Sequence, residues 1–130
     1  EELAAFRTMD TEHLVLMAGM ALSAYAVEKG ALPPPKEVVS PAVSEYYRRY
    51  LKDFENELWF KPPRDMPTGD CWDHPLAFAL DVKNNSVLPF NFDVRSPGPN
   101  GEFGDHDDVS FQPANDTVAG VYPHKLWFAR

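Results

Sequence analysis

Leu14-Val15-Leu16-Met17-Ala18-Gly19-Met20-Ala21-Leu22-Ser23-Ala24-Tyr25-Ala26-Val27 is the stretch on which the fold turns. It is almost wholly apolar, and its neighbours extend it as a helix over residues 3–29. Phe6, Met9, His13, Leu16, Met20 and Val27 follow helical steps on one row, and Leu14, Met17, Ala21 and Tyr25 form a second row beside it. Two adjacent rows make a broad apolar face, wider than a coiled-coil seam. The stretch is too short for a membrane span and suits a buried core helix. Gly30 is placed as the residue just past the helix end, and Pro33-Pro34-Pro35 forbids continuation.

Moving outward, Ser40 is an N-cap candidate with Pro41 at the first helical position, predicting a second helix over 40–58. Its apolar stripe is Val43, Tyr47, Tyr50, Phe54 and Leu58. Arg48, Arg49, Lys52, Asp53 and Glu55 fall largely off that stripe, as a solvated face. Residues 61–75 are irregular and proline-rich. The period then switches to two. Leu76, Phe78, Leu80 and Val82 alternate with smaller or polar residues, Asn84-Asn85 marks a turn, and Leu88, Phe90, Phe92 and Val94 alternate on the return. Pro89 points to an edge or bulge in that strand. Val109 to Gln112 reads as a short third strand, and the tail from Val118 to Phe128 as a further strand. The expected organisation is one domain over 1–130. It divides into a helix (1–30), a helical and irregular connection (31–75), and antiparallel strands and loops (76–130). One apolar helix face and one apolar sheet face then bury each other as a two-layer α+β fold.

Composition narrows the function. The chain has 130 residues, with 12 basic against 20 acidic side chains and a net charge of −8. That balance opposes a general phosphate-backbone binder, so no nucleic-acid partner is expected. Thirteen prolines against seven glycines require much ordered loop or edge strand. The single cysteine, Cys71, allows neither an internal disulfide nor a cysteine-rich zinc site. Asp70 and Asp73 flank its neighbourhood and are expected to raise the thiol pKa. Histidines at 13, 74, 106 and 124 have no metal-ligand spacing. No nucleophile elbow, His-Glu-x-x-His or phosphate loop is present, so the chain is not expected to be an enzyme.

The acidic charge has an address. Ser96-Pro97-Gly98-Pro99-Asn100-Gly101-Glu102-Phe103-Gly104-Asp105-His106-Asp107-Asp108 carries three aspartates in its last four positions. From Ser96 to Thr117 there is no lysine or arginine. Such crowding is costly unless the loop is solvated or a cation neutralises it. Calcium takes six to eight oxygens from carboxylates, amides and backbone carbonyls. Asn100, Asp105, Asp107 and Asp108 are the side-chain candidates, although the spacing is not that of an EF-hand. The competing reading is a solvated loop whose aspartates satisfy turn backbones.

Three segments, in order, resemble type II secretion pseudopilins, and among them the major pseudopilin. Ala21-Leu22-Ser23-Ala24-Tyr25-Ala26-Val27-Glu28-Lys29-Gly30-Ala31-Leu32-Pro33 is similar to their Ala-Leu-x-x-Tyr…Gly-x-Tyr-Pro helix end. Asp70-Cys71-Trp72-Asp73-His74-Pro75-Leu76 is similar to their Asp-Pro-Trp-Gly-x-Pro-Tyr motif before the first strand. Ser96 to Val109 resembles their Ser-x-Gly-x-Asp-Gly…Asp-Asp-Ile loop. The resemblance spans about residues 14 to 112. It departs at Asn100 (usually aspartate), Cys71 (proline), Asp73 (glycine) and Leu76 (tyrosine).

The resemblance implies a pilin-like structural subunit of a helical periplasmic fibre, partnered by its own copies, other pseudopilins and the secretion machinery. It implies calcium in the loop, with Asn100, Asp107 and Asp108 as ligands by position. Asp105 is added from its chemistry. The family's cleavage motif and membrane helix are not seen here, so a truncated soluble domain is expected, membrane-attached only through that helix. Two alternatives from other classes are a non-assembling pilin-like binding or adaptor domain, and a metal-assisted hydrolase using His106, Asp107 and Asp108.

Overall fold

The computed structural model describes residues 2–80, 92–104 and 109–111. Helix α1 spans Glu2–Lys29 and helix α2 spans Pro41–Phe54. Strands β1 (Ala77–Leu80), β2 (Phe92–Ser96) and β3 (Val109–Phe111) follow. The chain is thus α+β, with a long first helix and a small three-stranded antiparallel sheet.

Helix ends form where local chemistry stops them. Gly30 takes a positive φ of 83° and its N–H donates to the Ala26 carbonyl at 2.8 Å, an ending that only glycine adopts without strain. Ser40 is extended (φ −68°, ψ 162°) and its Oγ accepts from the Val43 N–H at 3.5 Å, with Pro41 at the start of α2. The second helix is shorter than its predicted 40–58. After Phe54 the chain tightens into a single 3-10 turn, Glu55–Glu57, and Leu58 is extended. The acidic run Glu55-Asn56-Glu57 offers no apolar step to hold a further α-turn in place.

Residues 14–22 of α1 are buried without interruption. Nine buried residues in succession leave no solvent face, because they complete more than two helical turns. The cover comes from two sides. Helix α2 packs along one, with Tyr25 meeting Tyr46 edge-to-face at 5.8 Å. Strands β2 and β3 pack against another. The helix and sheet faces do meet as expected, but α1 serves a second layer as well. Two expected core positions lie outside this cover: Met9 is 45% exposed and Val27 69% exposed. Val27 sits near the C-terminal end of α1, whereas Met9 is exposed beside Asp10 and Thr11, which are buried against the connection.

On α2 the predicted stripe supplies two of the five buried residues. Val43 and Tyr47 are fully enclosed, while Tyr50, Phe54 and Leu58 pack partly buried against the core. Tyr46, Leu51 and Ser44 are buried too.

The sheet order is β1-β2-β3. Phe78 lies opposite Val94 and Leu80 opposite Phe92, while Ser96 lies opposite Val109. Alternation is strict in β2: Phe92, Val94 and Ser96 are buried while Asp93 and Arg95 are half-buried. Full burial of Phe92 and Val94 contributes roughly 1.5–3 kcal/mol each. The predicted Asn84-Asn85 turn, Val82, Leu88, Pro89, Phe90, Gln112 and the Val118–Phe128 strand lie outside the described residues. Among the described residues, no helix is long and apolar enough to cross a membrane.

Candidate functional site

The acidic loop is closed at its base by the sheet itself. Ser96 ends β2 and pairs with Val109, the first residue of β3. A twelve-residue excursion therefore leaves and re-enters the sheet at one register position. Ser96 is fully buried, which is unusual for a hydroxyl, and both its roles are used. Its Oγ donates to Asp70 Oδ2 at 2.6 Å and accepts from the Gly98 N–H at 3.1 Å.

Beyond that anchor the chain turns sharply. Gly98, Gly101 and Gly104 all have positive φ. The Gly101 N–H donates to the Gly98 carbonyl at 3.2 Å. Asn100 Oδ1 accepts from the Glu102 N–H at 2.9 Å, an Asx turn that orders the side chain over its own backbone. Glycine suits position 101 on two counts. Its φ is 75°, and a Cβ there would approach the His74 ring to 3.0 Å. The loop's first half thus rests on the turn that contains His74.

That turn is built around Asp70. Its Oδ1 accepts from the Trp72 and His74 N–H groups, each at 2.9 Å, while Oδ2 takes the Ser96 hydroxyl. Backbone bonds brace the same turn: Asp70 N–H to His74 O at 2.9 Å, and Asp73 N–H to Asp70 O at 3.2 Å. Gly69 and Pro75 form a bridge at its neck. Asp73 has φ 62°, a left-handed conformation that aspartate tolerates better than most residues. The turn is also tied to α1, because the Cys71 N–H donates to Thr11 Oγ1 at 3.2 Å. Asp70 and Ser96 are both buried, so the junction joins two irregular segments within the protein interior.

Cys71 is half-buried, and its thiol pKa is pushed up, chiefly by burial. Asp10 and Asp70 add to the rise, while a Thr11 hydrogen bond and Arg7 oppose it. The direction agrees with the sequence-based expectation, but Asp10 stands in the place assigned to Asp73. A protonated, partly enclosed thiol is a poor nucleophile.

Of the four predicted metal ligands, Asn100 lies exposed at the tip of the first turn. Asp105, Asp107 and Asp108, together with His106, lie outside the described residues. Among the described residues, no group of three or more His, Cys, Asp or Glu side chains stands together as a metal site. The donor set of the loop nonetheless fits one cation class. Carboxylates, an amide oxygen and the carbonyls of a glycine-rich backbone are all oxygen ligands, which suit calcium.

Three structural residues escaped the sequence reading: Asp10, Thr11 and Ser96. The first two are polar groups at the edge of an apolar run. Both are buried and both point their oxygens at backbone N–H groups of the connection. Comparison with protein-family models, curated proteins and solved structures finds no match to this chain.

Proposed function

We propose that this chain is a pilin-like structural subunit, a pseudopilin of the type II secretion kind, whose acidic loop binds calcium. In this reading it works in the periplasm, assembling with copies of itself and with other pseudopilins into a fibre that drives protein export. It has no catalytic role. Asn100, Asp105, Asp107 and Asp108 supply the calcium ligands together with loop carbonyls. The ion offsets the mutual repulsion of the aspartates.

The observation that carries the reading is the Asp70–Ser96 hydrogen bond. It joins the two irregular segments on which the resemblance rests, at a point beneath the loop. The long α1 packed on a small antiparallel sheet supports the same reading. So does the left-handed backbone of Asp73, where pseudopilins have glycine.

Two measurements test it. Millimolar calcium should raise the melting temperature and a chelator should reverse the rise, because a ligand bound only by the native state stabilises it by mass action. Asp108→Ala should abolish the response. An unchanged melting temperature in calcium overturns the metal assignment. Fibre assembly is tested on the coding sequence upstream of Glu1. A prepilin cleavage motif with about 20 apolar residues supports assembly, and an upstream sequence without them contradicts it.

A further inference from the structure

On the side of α1 near its first turns lies a cavity of about 260 Å³. Its walls are Leu14, Leu58, Phe60, Pro62 and Pro63, with Gly69 and Cys71 from the Asp70 turn. Four charged residues complete the lining: Arg7, Asp10, Lys61 and Asp70. The two carboxylates are committed to the fold. Asp10 accepts from the Trp59 and Phe60 N–H groups at 2.7–3.0 Å, and Asp70 holds Trp72, His74 and Ser96. The two cations differ in this respect among the described residues. No ion pair among the described residues involves Arg7 or Lys61. Arginine and lysine only donate hydrogen bonds, so what they offer a ligand is recognition of acceptor oxygens.

We infer that this cavity binds a small carboxylate with an apolar body, the carboxylate on Arg7 and Lys61 and the body against Leu14, Leu58 and Phe60. An apolar cavity of roughly 150 Å³ accommodates benzene, so the volume here takes one ring or branched chain with a short acid arm. The site shares Asp70 with the anchor of the acidic loop, but its proposed ligand contacts, Arg7, Lys61, Leu14, Leu58 and Phe60, lie outside that loop. With about ten heavy atoms, such a ligand binds on the order of millimolar.

Phenylacetate is the probe, with phenylacetamide and benzylamine as its neutral and cationic counterparts. In a titration followed by backbone amide resonances, phenylacetate should shift Leu14, Phe60, Gly69 and Cys71 together. It should also slow alkylation of Cys71, the one cysteine in the chain. The two counterparts should bind roughly tenfold more weakly. The double substitution Arg7→Gln, Lys61→Gln should weaken phenylacetate by a similar factor and leave phenylacetamide unchanged. Lys29→Gln with Lys36→Gln makes the same charge change away from the cavity and should leave phenylacetate affinity intact. The inference is overturned if benzylamine or phenylacetamide binds as tightly as phenylacetate. It is equally overturned if Cys71 is not protected, or if the two double variants behave alike.

Discussion

The centre of α1 and the proline-rich connection between residues 58 and 76 are both held firmly to the protein, by opposite means. Residues 14–22 are enclosed by apolar side chains from α2 and the sheet. The connection has no regular ladder and few core residues of its own, Met66 and Leu76 among them. It is held by single polar side chains reaching from elsewhere. Asp10 takes the Trp59 and Phe60 N–H groups, and Thr11 takes that of Cys71. Ser44 takes that of Met66, while the Tyr47 hydroxyl donates to the Pro63 carbonyl. Asp70 then gathers its own turn and Ser96. Prolines remove donors and helices cannot form there, so the remaining backbone groups need partners of another kind. Buried polar side chains on the neighbouring helices, and Asp70 within the connection itself, provide them.

The largest expected effect falls on the polar side of this contrast. Asp70→Ala leaves the Trp72 and His74 N–H groups and the Ser96 hydroxyl without their acceptor and should cost about 4 kcal/mol, read by denaturant unfolding. Leu16→Ala, at the centre of the apolar side, should cost about 3 kcal/mol. If Asp70→Ala is much milder than Leu16→Ala, the connection is not held by its polar contacts and the contrast collapses. Asp10→Ala should cost about 2 kcal/mol and increase hydrogen exchange at Trp59 and Phe60 before anywhere else.

A smaller effect sharpens the comparison through pH. Burial pushes the Tyr47 phenol well above its ordinary value, with Asp65 adding to the rise and Arg64 opposing it. The folded state therefore keeps its phenol proton where the unfolded state has lost it. That contribution is complete below the ordinary phenol value of about 10 and is lost as pH rises above it. Tyr47→Phe should cost about 1 kcal/mol at neutral pH and should flatten the fall in stability above about pH 10. An unchanged alkaline profile in the variant would place the titration elsewhere.

The same contrast explains what the sequence made legible. The long helix, its glycine end, the Ser40 cap and the alternation through Phe78, Leu80, Phe92 and Val94 are periodic or positional signals, and they can be read from residue order. Asp10 and Thr11 are not of that kind. Their partners lie about 50 and 60 positions away, and nothing local distinguishes a buried acceptor from a solvated one. Met9 and Val27 fit the helical period yet lie exposed, because periodicity says which face is apolar and not which of its positions are covered. In the candidate site, the acidity and glycines of the loop were plain. Its anchor at Ser96 was not, since a serine closing an alternating strand looks like an ordinary loop start.

The loop's chemistry is tested most directly by a calorimetric titration of the protein with calcium, repeated on Asp108→Ala. Calcium should bind the native chain with a measurable heat, saturate at one ion per molecule, and give no saturable heat with the variant. No binding by the native chain, or equal binding by Asp108→Ala, would contradict a calcium site in the loop that Asp70 and Ser96 anchor.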